Sequence, residues 1–180
     1  MKGPHVDWAG LSPIVALTGG LLVVLLVGLF RARFARERLV PFLTLVALGA
    51  TVGLTIWRWH HPASIVSGAL AVDDLALVLN LVFATAGMGA VLLAWRGRAA
   101  NEAGHGEFHS LLLASTLGMA ILVAAQSLVT LFLGLEILSI PLYVLCASEM
   151  RRASSLESGL KYLVVGSVGS ATLLYGLALI

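Results

Sequence analysis

Six long apolar runs separated by polar interruptions divide the chain: Leu11–Phe30, Leu39–Trp57, Leu75–Trp95, Phe108–Ala125, Ser127–Cys146 and Gly159–Ile180. Each is close to the ~20 mostly apolar residues that a helix needs to cross a bilayer. Strand-type alternation is absent, so helices rather than a barrel must satisfy the backbone in lipid. The pattern predicts an all-α fold, a polytopic membrane helical bundle of about six transmembrane helices forming a single domain over residues 1–180. Only Ala125–Ser127 separates the fourth and fifth runs, which predicts a tight hairpin with Gln126 at its turn. Arg31–Glu37 and Arg96–Glu107 read as polar loops, the second punctuated by Asn101, Gly104 and Gly106. Within Arg58–Asp74, the apolar core Ile65–Val72 is too short to span, so the segment reads as an interfacial or extracytoplasmic loop. Gly166, Ser167, Gly169, Ser170 and Ala171 in the sixth run predict a close contact with another helix.

Composition supports this reading. Hydrophobic residues make up 59% of the chain and charged residues 11%, against about a quarter charged in soluble domains. The basic residues are more telling than the net charge of +2. Arg31, Arg33, Arg36 and Arg38 follow the first run, Arg96 and Arg98 the third, and Arg151 and Arg152 the fifth. These alternate loops lie on one side, and the positive-inside rule makes that side cytoplasmic. The opposite side holds only Lys2 and Arg58. The expected location is a bacterial inner (plasma) membrane, multi-pass, with the amino terminus on the outer, periplasmic side. Short arginine clusters flanking spans do not suit nucleic acid, and none is expected as a partner. The first run is long, is preceded by Asp7 and is followed by the arginines, so it reads as a retained helix rather than a cleaved signal. Trp8, Trp57, Trp59 and Trp95 fall at span ends, where indole rings suit the headgroup layer. Cys146 is the sole cysteine, which excludes an internal disulfide or a thiolate metal cluster.

Against this background one residue stands out. Glu136 lies in the middle of an apolar run, where a carboxylate is costly and by default functional. Ser139 and Tyr143 follow it at helical spacing, so a polar stripe faces the bundle interior or water rather than lipid. Pro141 on the same helix displaces the carbonyl of Ile137, which can open room for water. The sixth run carries Lys161 near its start, with Glu157 four residues earlier as an ion-pair partner. Burial raises a glutamate's proton affinity and lowers a lysine's, and mutual proximity does the reverse. Changing the separation of Glu136 and Lys161 therefore changes which of them holds a proton. The competing account is structural: Glu136 held by a neighbour for packing, and Lys161 snorkelling to the interface. His60 and His61 beside Pro62 read as interfacial, and His109 next to Glu107 as an interface residue in preference to a proton-uptake group. Asp73 and Asp74 are expected to cap the third helix. There is no phosphate loop, triad or haem motif, so no cofactor and no metal is expected in this chain.

The run Leu131-Phe-Leu-Gly-Leu-Glu136-Ile-Leu-Ser139-Ile-Pro141-Leu-Tyr143-Val-Leu resembles the fifth helix of the subunit N family of respiratory complex I. Ser158-Gly-Leu-Lys161-Tyr162-Leu-Val-Val-Gly166-Ser-Val-Gly-Ser170-Ala171 resembles that family's sixth helix, with Glu157 at its acidic position, and Leu117-Gly118-Met119 also fits. The likeness is dense over Glu107–Ile180 and loose before it. It implies the amino-terminal part of an antiporter-like fold, with the first inverted repeat starting near residue 108. It implies a proton-translocating, non-redox subunit of NADH:quinone oxidoreductase, with Glu136 and Lys161 in the proton path. Other membrane subunits and the lipid bilayer would be its partners, and NADH and quinone would be bound by other subunits. The alternatives are an antiporter-like subunit of a cation/proton exchanger or membrane hydrogenase, and a purely structural membrane subunit.

Overall fold

The computed structural model describes residues 8–30, 35–59, 63–65 and 68–180. Lys2, Asp7, Arg31, Arg33, His60, His61 and Pro62, which figure in the sequence reading, lie outside the described residues. Six helices are long and apolar enough to cross a membrane: α1 (Trp8–Gly28), α2 (Val40–Trp57), α3 (Asp74–Ala94), α5 (His105–Ala124), α6 (Leu128–Cys146) and α7 (Ala153–Ala178). A short π-helical turn, Ala35–Leu39, runs directly into α2, and a six-residue helix α4 (Arg98–Ala103) precedes α5. The protein is thus a multi-pass helical bundle, as the hydropathy pattern predicts.

Helix ends follow local chemistry. The Asp73 carboxylate accepts a hydrogen bond from the Ala76 amide at 2.8 Å and starts α3, while Ser127 Oγ accepts from the Thr130 amide at 3.1 Å and starts α6. Of the two aspartates proposed as caps, Asp73 is the one that serves. Glycine sets the tightest helix crossings. Cβ atoms built on Gly28 and Gly106 would each overlap the other residue's backbone, and one on Gly20 would overlap the Ala47 side chain. Gly106 is therefore not loop punctuation but the point where α1 and α5 touch. Gly104 does mark a break, with φ of 93°, a conformation that glycine adopts without steric cost.

The core lies among α1, α2, α3 and α5, where Leu17, Val24, Leu48, Val91 and Leu113 are fully buried. Buried hydroxyls punctuate it. Thr44, Thr51 and Thr55 of α2 each donate to the carbonyl four residues earlier, which satisfies the proton without leaving the helix.

Two segments carry more structure than the sequence reading gave them. Ala63–Ile65 (β1) and Leu70–Val72 (β2) pair antiparallel, turning at Gly68 with φ of 89°. Ile65, Leu70 and Val72 are buried against Leu77 and Ala124, with Leu11 and Ile14 packed on the cluster. Ile65, Leu70 and Val72, from the segment read as an interfacial or extracytoplasmic loop, thus cap one end of the bundle. The Gln126 amide donates to the Ala69 carbonyl at 2.9 Å, tying the α5–α6 turn to this hairpin. The second is α7, which starts at Ala153, six residues before the apolar run that announced it. At 1.5 Å per residue its 26 residues extend about 39 Å, more than the ~30 Å hydrocarbon layer.

Candidate functional site

Glu136 lies near the middle of α6, roughly 12 Å from its start and 15 Å from its end at 1.5 Å per residue. Its Oε1 is buried and has no hydrogen-bond partner. A buried carboxylate oxygen normally carries a partner, a proton or an ordered water, so this atom is where the bundle must accommodate one of them. The helix continues through the buried Pro141, whose missing N–H frees the Ile137 carbonyl one residue beyond Glu136. Helix α5 closes on this turn. A Cβ on Gly118 would stand 2.6 Å from Leu138 Cα and 2.7 Å from the Ile137 carbonyl carbon, so glycine alone permits the approach. Gly134 does the same in the other direction, against Leu122.

Tyr143, seven residues after Glu136, occupies the same helix face and is buried. Its ring meets Tyr162 of α7 edge-on at a centroid distance of 4.9 Å, and its hydroxyl lies over Gly166. Gly159 fits against Ala147 one turn further along. Tyr143, at the end of the α6 polar stripe, thus faces α7, and Gly166 is the small residue that this contact uses. Gly169, counted with it in the sequence reading, has nothing within 4 Å of its Cβ position.

Lys161 pairs with Glu157. Its Nζ lies 2.6 Å from Glu157 Oε1, with side chains 73% and 63% exposed within this chain. The structure does not bring Lys161 to Glu136. Because Gly159 opposes Ala147 and Gly166 opposes Tyr143, Lys161 stands opposite the last turn of α6. That is at least nine residues, roughly 14 Å along the helix, from Glu136. Tyr143 lies between the two levels.

His109 is corrected by the structure. It is fully buried rather than interfacial, with Nδ1 2.8 Å from the His105 carbonyl. His105, which the sequence reading passed over, is also buried. The available signal was the i, i+4 spacing of His105 and His109, which puts both rings on one face of α5; Asn101, four residues before His105, belongs to α4 across the Gly104 break.

Comparison with known proteins places this geometry in context. A family model described as NADH:quinone oxidoreductase/Mrp antiporter, transmembrane, matches residues 125–180, the segment holding Glu136, Glu157 and Lys161. NADH-quinone oxidoreductase subunit N 2 of Roseiflexus castenholzii is 35% identical over 179 residues, 98% of this chain and 35% of that protein. The chain is similar to subunit N over nearly its whole length. NAD(P)H-quinone oxidoreductase subunit 2 of Thermosynechococcus vestitus is 37% identical over 93% of this chain and 33% of its own length. Among solved structures, a chain of respiratory complex I from Thermus thermophilus with bound aureothin aligns with a TM-score of 0.78 and 30% identity. That match covers 93% of this chain and 36% of the other. The fold is that of a complex I membrane subunit, and the chain spans about a third of the length of the relatives it matches.

Proposed function

We propose that this chain provides part of a proton-translocating, non-redox membrane subunit of NADH:quinone oxidoreductase. Glu136 is its central acid, and Lys161, paired with Glu157, is the base coupled to it. The observation that carries the reading is the buried, unpartnered Glu136 Oε1 at mid-span, inside the segment matched to the family. A carboxyl group there can exchange a proton with water or a neighbour, whereas a packing role alone would leave it hydrogen-bonded. The separation of Glu136 and Lys161 suits a relay in which Tyr143 and water bridge the two levels of the α6–α7 seam. The Lys161–Glu157 pair gives Lys161 an alternative partner. Movement of α7 that loosens this pair changes the electrostatic field at Glu136 and hence its proton occupancy. Redox chemistry, with NADH and quinone, is assigned to other subunits, and other membrane subunits are the partners. The arginine-bearing side faces the cytoplasm by the positive-inside rule. The family description also embraces cation/proton exchangers, but the names of the relatives favour the oxidoreductase.

The test is Glu136→Gln in the full-length subunit within its own complex. Expected is an assembled complex with normal NADH oxidation by an artificial acceptor and at least ten-fold slower quinone-coupled proton uptake by inverted vesicles. Normal pumping by the assembled variant refutes the assignment.

A further inference from the structure

On α5, His105 at Nδ1 and His109 at Nε2 each present a buried ring nitrogen with no hydrogen-bond partner. The surrounding hydrogen bonds settle which nitrogens carry protons in the neutral rings. Asn101 Nδ2 donates to the Gly97 carbonyl at 3.0 Å, so its Oδ1 is the atom 3.0 Å from His105 Nε2, and that nitrogen is the donor. His109 Nδ1 lies 2.8 Å from the His105 carbonyl, which can only accept, so Nδ1 carries the hydrogen there. Each ring is left with one bare basic nitrogen inside the protein. The rings stack with centroids 5.9 Å apart and an interplanar angle of 18°.

A cavity of about 340 Å³ reaches His105, lined by that residue with Glu37, Arg38, Trp95, Arg96 and Asn101. Glu37, Arg38 and Arg96 are exposed, so this cavity communicates with the arginine-bearing surface. Glu37 and Arg36 of the π-helical turn act on His105 with opposite charge. His109 lies one turn deeper, with 0% exposure. Thr116, seven residues on and so on the same face, packs beside Gly87 of α3. Gly118, whose face meets α6, is nine residues from His109, or two and a half turns. The histidines therefore lie on the side of α5 away from α6.

We propose that His105 and His109 form a second protonatable site, separate from Glu136, that takes up protons from the arginine-bearing side through the Asn101-lined cavity. A proton bound at His105 Nδ1 makes that ring an imidazolium. Its transfer through a bridging water to His109 Nε2 returns His105 to neutrality and leaves the charge one turn deeper. A satisfied core histidine would not leave two basic nitrogens of adjacent rings unpaired beside a polar cavity.

The site rests on the proposed function, and the test separates the two. In the complete complex, His109→Asn keeps a donor for the His105 carbonyl but has no basic nitrogen. His109→Gly leaves a hole that imidazole can fill. Expected for His109→Asn are normal assembly, normal artificial-acceptor activity and about ten-fold slower quinone-coupled proton uptake. Expected for His109→Gly is the same loss, reversed at least in part by added imidazole. Wild-type uptake by His109→Asn, no recovery of an assembled His109→Gly with imidazole, or failure of both variants to assemble each overturns the site. Glu136→Gln is measured alongside. Normal pumping there removes the proposed function itself, whereas silenced Glu136→Gln beside normal His109→Asn removes only the histidine site.

Discussion

Gly118→Ala should destabilise the protein far more than its single methyl group suggests. The new Cβ would stand 2.6 Å from Leu138 Cα, while ordinary van der Waals contact begins at 3.4 Å. The overlap is with backbone on both sides, so no rotamer change relieves it, and α5 and α6 must part by close to an ångström. Overpacking of this kind costs about 1–3 kcal/mol. Taking ~2 kcal/mol, the folded-to-unfolded ratio falls roughly 30-fold. The matched control is Gly169→Ala on α7, where the Cβ meets nothing within 4 Å and helix propensity favours alanine by up to ~1 kcal/mol. The assay is equilibrium unfolding of the purified full-length subunit in mixed micelles, followed by far-ultraviolet circular dichroism. Gly118→Ala should unfold at a distinctly lower denaturant fraction, and Gly169→Ala at the wild-type fraction or above. Equal midpoints for Gly118→Ala and wild type would refute the claim that α5 and α6 are in backbone contact beside Glu136.

Two further outcomes are expected. Asp73→Ala removes the carboxylate that accepts from the Ala76 amide and should cost about 1 kcal/mol, whereas Asp73→Asn should recover most of it; hydrogen exchange at the first turn of α3 reads the difference. Lys161→Met breaks an ion pair whose partners are 73% and 63% exposed within this chain, so its stability cost should stay below about 0.5 kcal/mol in the same unfolding assay. Coupled proton uptake in the assembled complex should nonetheless fall several-fold, and unchanged uptake would place Lys161 outside the path.

The number and approximate bounds of the membrane helices were legible in the chain, because crossing hydrocarbon demands length and apolarity that no loop supplies. Glu136 was legible for the same reason in reverse: charge within such a run is conspicuous wherever the helices pack. The stripe Glu136–Ser139–Tyr143 follows from helical period alone. Capping by Asp73 and Ser127 is similarly local, set by side chains within three residues of the amides they bind.

Contacts between distant segments were decided elsewhere. Gly106 and Gly166 look alike in the sequence, and only packing shows that one meets Gly28 and the other the Tyr143 hydroxyl, while Gly169 meets nothing. Ile65, Leu70 and Val72 belong to an apolar stretch too short to span, yet folding buries them in a hairpin that packs against Leu77 and Ala124. Burial of His109 likewise depends on its position between helices, since a histidine at a span end suits water and protein interior equally. The amino-acid order thus determined which segments leave water. The tertiary structure decided which side chains meet, because a helix offers several equivalent faces and only its neighbours select among them.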